Sequence, residues 1–525
     1  MTELLTAAQM RAIEAAAIAS GEVTGLELME RAGRGVVEAV FTEWPGLRAG
    51  SFRAVILCGP GNNGGDGFVV ARLLKEWGWE VEVFLYGNAT KLPPDARANY
   101  ERWVAMGEVS AWDDAAQKRR FEEGAEDFHL VVDALFGTGL TRPVPDHTDI
   151  TWRGLMPLPL EMHAQSPNDV RFVAVDIPSG ICSDSGKDMG AMPTHLTVTF
   201  HRPKIGHYMV EHCQNYGGVV GCHKLVVVDI GLTKASIVGT VGLTTPSAGH
   251  LVKFTTANKF AHGHALILSG PPGHGGAARM TARGALRIGA GLVTLACPPD
   301  ALAENAARLD AIMLKTVADA AGLAAILADT RINALCLGPG LGISEETRSL
   351  VAMALKSGKA SVLDADALTL IARDATLFAA LHKGCVLTPH GGEFARLFPD
   401  IAAKLEAPAT KGPAYSKVDA TREAAARAGC VVLFKGPDTV IASPDGTCAI
   451  NSAAYDRAAP WLATAGSGDV LAGFITGLLA RGAAPQQAAE TGAWLHVEAA
   501  HSFGPGLIAE DLPEELPKVY RALGL

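Results

Sequence analysis

The sequence predicts an α/β chain built from two doubly wound domains. Three observations carry that prediction. Short apolar runs, glycine-rich polar loops and helix-patterned segments alternate over most of the chain. The alternation weakens once, between Asp229 and Lys259, where Gly231, Gly239, Gly242, Thr244, Thr245, Pro246 and Gly249 cluster without periodicity. And 525 residues are too many for one ordinary core. A boundary is therefore expected near residue 240, giving domains 1–240 and 241–525.

In the first domain, Thr6 to Val40 has helical periodicity, interrupted at Gly21 and Gly25. Arg53–Cys58 reads as a buried parallel strand. It runs into Gly59-Pro60-Gly61-Asn62-Asn63-Gly64-Gly65-Asp66-Gly67, expected as a loop, and a helix is expected from Phe68 to Trp77. Strand, glycine-rich loop and helix make a phosphate cradle, although neither the usual dinucleotide fingerprint nor a Walker lysine is present. An Asx-rich turn is the structural alternative. The design recurs at Leu130–Val132, ending at Asp133, and at Arg171–Val175, ending at Asp176 and Ser179. Ligands bind at the carboxyl ends of strands in such sheets, so these three loops form one polar crevice. Its carboxylate, amide and hydroxyl oxygens suit a hard cation such as potassium or magnesium. Lys204, in His201-Arg202-Pro203-Lys204, is a candidate to face a phosphate, with an ordinary surface lysine the expected reading.

These segments, with Leu28–Gly33, resemble the YjeF N-terminal family of NAD(P)H-hydrate epimerases over roughly residues 5 to 235. The resemblance implies a Rossmann-like fold. It implies that Asn62, Asn63, Gly64, Gly65 and Asp66 hold the nucleotide, together with Gly137, Thr138, Gly139, Leu140, Thr141, Arg142 and Pro143. It further implies that Asn63, Asp133 and Ser179 ligate potassium, and that Asp176 touches the reacting nicotinamide ring.

The second domain resumes the alternation, with strands expected at Ala265–Leu268, Leu292–Ala296, Ala334–Leu337, Ala360–Leu363, Cys385–Leu387 and Cys430–Phe434. A hairpin is expected around Pro444-Asp445-Gly446. The most informative stretch is Ala463 to Gly473, a small-residue loop running into an apolar helix that ends near Arg481. Open backbone N–H groups and a helix N-terminus make an anion site there. Asp469 at the helix start fits a base that deprotonates a hydroxyl beside a held phosphate; a plain helix cap is the alternative. His390 is a candidate ligand contact or a helix cap, without the partners of a zinc site. Asp364 and Asp366 suit either water-mediated Mg²⁺ binding or helix capping.

Through its Gly-Ser-Gly-Asp loop this domain resembles the ribokinase-like superfamily, and more closely the ADP- or ATP-dependent NAD(P)H-hydrate dehydratases, over roughly residues 250 to 520. Gly391 departs from the pattern, which usually has Pro after the His. The resemblance implies that Lys435, Gly436, Pro437, Asp438, Thr439 and Gly468 hold ADP or ATP. Ala277, Gly340, His390 and Asp469 would hold the hydrate, and Mg²⁺ would bridge nucleotide phosphates. Together the halves resemble the bifunctional NAD(P)H-hydrate repair enzymes. The rival readings are a small-alcohol kinase of the ribokinase type and a first half that binds nucleotides or a partner protein without turnover.

Composition narrows the classes further. With 48% hydrophobic and 19% charged residues the chain is globular. A net charge of −10 argues against nucleic-acid or acidic-membrane partners. Nine single Cys, without a C-x-x-C pair, read as reduced thiols of a cytoplasmic protein. No signal peptide and no membrane span are expected. The expected partners are NAD(P)H hydrates, ADP or ATP, and a second copy of the chain in a homo-oligomer.

Overall fold

In the computed structural model the described residues are 2–112, 128–144, 170–191, 194–209, 222–233, 239–253 and 258–525. The chain divides into two compact units. One comprises Glu3–Thr240 and Pro408–Ser416; the other comprises Val241–Ala407 and Lys417–Leu525, together with Met1–Thr2.

The first unit has a seven-stranded sheet of β1 (Arg53–Cys58), β2 (Glu80–Leu85), β3 (Val109–Ala111), β4 (Leu130–Ala134), β5 (Arg171–Val175), β6 (Thr194–Phe200) and β7 (Cys222–Val228). The order is β3-β2-β1-β4-β5-β6-β7, and every pairing is parallel. Growth from β1 runs in both directions, so right-handed crossovers place helices on both faces. That is why β4 and β5 are buried along their whole length. Helices α1 (Ala7–Ala19) and α2 (Gly25–Glu43) start from capping boxes, Thr6 with Gln9 and Thr24 with Glu27. Val36 and Val40 of α2 join Phe68, Val69, Ile56, Val132 and Val173 in the core.

Helix α3 spans Asn62–Glu76, which corrects the expected loop. Only Gly59-Pro60-Gly61 is loop; Asn62 to Gly67 already form helical turns. The glycines serve close packing rather than turning. A Cβ on Gly64 would lie 2.0 Å from Gly59 O, on Gly65 2.5 Å from Met29 Sδ, and on Gly67 2.8 Å from Ala134 Cβ.

The second unit contains β8 (Val241–Leu243), β9 (His264–Leu268), β10 (Leu292–Cys297), β11 (Met313–Thr316), β12 (Ala334–Leu337), β13 (Ala360–Leu363), β14 (Cys385–Leu387), β15 (Val431–Phe434), β16 (Asp438–Ala442) and β17 (Cys448–Ser452). Inward from β8 the order is β8-β17-β16-β15-β14-β13-β12-β9-β10-β11. Pairing is parallel except where β16 runs antiparallel to β15 and β17, so the expected hairpin forms. Helix α4 (Gly275–Arg287) packs on α5 (Ser467–Ala480), whose residues from Val470 to Ala480 are all buried. Glycine permits that crossing: a Cβ on Gly473 would lie 2.2 Å from Thr281 O.

Strands β2, β3, β6, β7, β8 and β11 were not singled out in the sequence. Thr194, His195, Thr197 and Thr199 hide β6, because all four polar side chains are buried in a strand that reads as half-polar. Among the described residues, no helix is long and apolar enough to cross a membrane.

Candidate active sites

Each sheet has one point where the strand order reverses, and at each the two flanking loops touch through glycine. In the first unit a Cβ on Gly59, after β1, would lie 1.6 Å from Leu135 O, after β4. In the second, a Cβ on Gly270, after β9, would lie 1.8 Å from Gly340 O, after β12. Such switch points are where open α/β sheets bind ligands.

At the first switch point Asp133 is the penultimate residue of β4. Its Oδ1 accepts from Ser179 Oγ at 2.6 Å and its Oδ2 from Ser179 N at 2.7 Å. Ser179 Oγ also accepts from Phe136 N at 2.8 Å. Burial lifts the Asp133 carboxyl to about 6, against the hydrogen bonds from Ser179 and Leu135. Asn63, on the first turn of α3, has both amide atoms buried without a hydrogen-bond partner. A Cβ on Gly137 would lie 2.9 Å from Asn63 Oδ1, so that glycine lets the amide approach. An orphaned amide beside a carboxylate and a hydroxyl fits an oxygen-ligated cation. No group of three or more His, Cys, Asp or Glu suited to a transition metal occurs among the described residues.

Asp176 follows β5 with φ 66°, unusual for a residue other than glycine. Lys204 Nζ lies 2.7 Å from its Oδ1, and Thr199 Oγ1 donates to the same oxygen at 2.9 Å. Lys204 is 1% exposed, which corrects the expectation of a surface lysine. Burial alone would raise Asp176, but Lys204, His207 and Thr199 together hold it below the usual carboxylate value. Asp66 goes the other way: burial pushes it well up, with Asp176 and Glu14 adding to the rise. Glu14, on α1, is likewise raised by burial and by Asp176. Glu14 carries no sequence signal for this site, and Lys204, a candidate to face a phosphate, is bound to a carboxylate there. Asn62, Gly139, Thr141, Arg142 and Pro143 are exposed at its margin. Ser183 Oγ donates to Thr138 O at 3.4 Å, and Gly412 N to Thr141 O at 2.8 Å. Leu140 packs with Cys182, Met189 and Ala414.

In the second unit Gly466, with φ 87°, caps α5 and brings Asp469 into its first turn. The N–H groups of Gly468 and Asp469 make no hydrogen bond to the described residues. Burial lifts Asp469 to about 6, helped by Asp364 and Glu393 and opposed by Lys435. Lys435, after β15, binds Asp364 Oδ1 at 2.8 Å and lies 3.7 Å from Glu393 Oε2. A Cβ on Gly468 would be 3.6 Å from Lys435 Nζ. Burial would depress Lys435, yet Asp364 and Glu393 keep it raised and charged. His496, pushed down to about 4 by burial and so neutral, donates from Nε2 to Ser467 O at 2.8 Å, holding the loop.

His390 both caps a helix and stands open to solvent. Its Nδ1 accepts from Gly392 N at 3.0 Å at the start of α6 (Gly391–Leu397), while its side chain is 57% exposed. A Cβ on Gly391 would meet nothing within 4 Å, so the Gly-for-Pro departure leaves this geometry intact. Thr281 Oγ1 bonds both Ala277 O and Asp469 O, and Gly340 faces Ala277, so those three expected residues adjoin. Among Lys435–Thr439, Thr439 Oγ1 donates to Gly436 O at 2.7 Å, closing the turn. Asp438 is tied to Lys417 at 2.6 Å, a partner the sequence did not suggest. Asp366 accepts from Gly342 N at 2.8 Å. A separate cavity of about 1010 Å³ along Lys253, Arg283, Arg287, Arg481 and Tyr520 shares none of the expected residues.

Residues 25–206 match the YjeF-related protein N-terminus family, and residues 265–518 match the NAD(P)H-hydrate dehydratase family. A bifunctional NAD(P)H-hydrate repair enzyme of Moorella thermoacetica is 35% identical over 99% of this chain and 97% of its own length. The chain belongs to the bifunctional NAD(P)H-hydrate repair enzyme family. An NAD(P)H-hydrate epimerase of Roseobacter litoralis is 46% identical over 44% of this chain and 100% of its own. A solved ADP/ATP-dependent NAD(P)H-hydrate dehydratase of Bacillus subtilis is 26% identical, with a TM-score of 0.41 over 53% of this chain and 94% of its own. As in other repair enzymes of this family, an epimerase half and a dehydratase half share one polypeptide.

Proposed function

We propose that the first unit interconverts the R and S hydrates of NADH and NADPH, and that the second returns the S form to NAD(P)H at the expense of ADP or ATP. The observation that carries the reading is the pairing, in one chain matching a repair enzyme end to end, of two switch-point sites with carboxylates tuned in opposite directions. Asp176, ionised, lies where a nicotinamide ring would react. Asp469, near 6, is ionised at neutral pH yet basic enough to take a proton.

In the dehydratase, Asp469 takes the proton of the C6 hydroxyl while the hydroxyl oxygen bonds to the terminal phosphorus of the nucleotide and the bond from that phosphorus to its bridging oxygen breaks, releasing AMP from ADP or ADP from ATP. The Gly468 and Asp469 N–H groups receive the phosphoryl charge, each such donor being worth about 3 kcal/mol. Phosphate then leaves C6 and a proton leaves C5, restoring the ring. Lys435 and the turn to Thr439 would hold the nucleotide, and Mg²⁺ bound with its phosphates would supply charge neutralisation there. In the epimerase, Asn63, Asp133 and Ser179 would hold potassium, which would supply fixed positive charge at the switch point. A cytoplasmic location fits these substrates and the buried free thiols.

Turnover on mixed R and S hydrate tests the reading. Without nucleotide the epimers should equilibrate; with ADP or ATP both should return to NAD(P)H. A stable phosphorylated product would instead indicate a small-alcohol kinase.

A further inference from the structure

We infer that Lys204 is the positioning residue of the epimerase, fixing Asp176 through Oδ1 so that Oδ2 alone meets the substrate. The inference rests on the epimerase reading of the first unit.

Three hydrogen bonds define the position of the ammonium. Lys204 Nζ reaches Asp176 Oδ1 at 2.7 Å, Thr199 Oγ1 at 2.8 Å and Phe200 O at 3.3 Å. All three of its protons are therefore used, each toward an oxygen on β6 or at the end of β5. Thr199 adds a second donor to the same carboxylate oxygen, at 2.9 Å. Oδ2 has no hydrogen-bond partner among the described residues, and the side chain is 13% exposed. The backbone is held as firmly. Asp176 N donates to Val198 O at 2.7 Å, and His207 Nε2 donates to Asp176 O at 2.8 Å while His207 Nδ1 accepts from Lys204 N at 2.9 Å. One residue, Lys204, is thus bound to Asp176 through its side chain directly and through its backbone by way of His207.

Such bracing is what a left-handed, non-glycine carboxylate needs to stay in one orientation. It also answers a charge problem. Glu14 from α1 and Asp66 from α3 approach Asp176, whose charge adds to the rise of both, and Glu14 adds to that of Asp66. His207 and Lys204 are the cationic or potentially cationic groups facing Asp176, and Arg11 faces Glu14. Of the three carboxylates, the one bound to the buried ammonium is the one held low, while Asp66 and Glu14 are shifted upward, chiefly by burial. The lysine therefore decides which carboxylate serves as base.

The test measures kcat and KM for hydrate epimerisation against pH in the full-length wild type and in K204M, K204R and T199V, with thermal unfolding as the check on folding. K204M is close to isosteric and removes only the charge and its bonds. Its acid limb should move up by about 1–3 pH units, with kcat lost at low pH and recovered at high pH while KM stays within a few-fold. K204R should return the limb to the wild-type position. T199V, which removes one donor to Oδ1 but leaves the ammonium, should lower kcat and move the limb up by less than K204M does. A folded K204M with the wild-type limb, a K204R limb that stays displaced, or a T199V with wild-type kcat would each overturn the inference. Should K204M fail to fold, the K204R and T199V profiles decide it alone. Wild-type chain without epimerase turnover would instead overturn the functional reading on which the inference stands.

Discussion

Lys435 Nζ sits 2.8 Å from Oδ1 of Asp364, a carboxylate only 2% exposed and 71 positions away in the chain. This pair joins the ends of β15 and β13, and Glu393 from α6 comes within 3.7 Å of the same ammonium. Lys435 is therefore a structural counter-ion before it meets any nucleotide, and it also restrains the rise of Asp469.

Replacing Lys435 by Met should act twice. Leaving Asp364 buried without its partner should cost about 3–5 kcal/mol of stability, read from denaturant unfolding. Asp469 should also become harder to ionise, moving the acid limb of dehydration upward. A K435M protein of wild-type stability would mean that Asp364 is solvated or neutral.

The pH dependence of the dehydratase follows from the Asp469 value. For S hydrate, kcat/KM should rise through about pH 6 and level above it, because the ionised form is the base. Stability should run oppositely. A carboxyl raised in the folded state contributes stability that is fully present below about pH 3.8 and is lost as pH rises through about 6. D469N should therefore unfold at a higher temperature than wild type at pH 8 and lose that advantage at pH 4. A pH-independent difference would contradict the shift.

Potassium should matter to the epimerase alone. D133A removes the carboxylate beside the orphaned Asn63 amide, so epimerisation should fall and lose its dependence on potassium. Dehydration of pure S hydrate should be unchanged. Equal wild-type epimerase rates in potassium-free buffer would remove the cation from the account.

The crossing of α4 and α5 should tolerate no side chain at Gly473. G473A would bring a Cβ within 2.2 Å of Thr281 O, and overpacking of this kind costs about 1–3 kcal/mol. Thr281 also bonds Asp469 O at 2.9 Å, so dehydration should drop further than stability alone explains. Comparing turnover with the unfolding midpoint in G473A checks this.

Much of this arrangement was readable from one dimension. Arg53–Cys58, Arg171–Val175, Ala334–Leu337, Ala360–Leu363 and Cys385–Leu387 form strands at the expected bounds, because each is a mostly apolar run closed by glycine, a carboxylate or, after Leu387, Thr388-Pro389. The polar residues at their ends gather because parallel strands deliver all their carboxyl ends to one edge. What stayed hidden depends on tertiary placement. Nothing near Lys204 in sequence shows that Asp176, 28 residues earlier, will neutralise it. Lys417, Glu393, Glu14 and His496 likewise gain their roles from partners on other elements. The start of α3 was misplaced for a different reason: Gly64, Gly65 and Gly67 weaken helix propensity, while their missing side chains are what lets the helix pack there.

The account turns on Asp469 as a base beside two free N–H groups, and D469N tests it most directly. Asparagine caps a helix as well as aspartate does but cannot accept the proton. Dehydration of pure S hydrate with ADP or ATP should fall by roughly 10²–10⁴-fold, the usual contribution of a general base. ADP binding, measured by calorimetry on the same sample, should be retained or tightened, since one negative charge near the phosphates is gone. A D469N protein that dehydrates S hydrate at near the wild-type rate would contradict the assignment and reduce Asp469 to a helix cap.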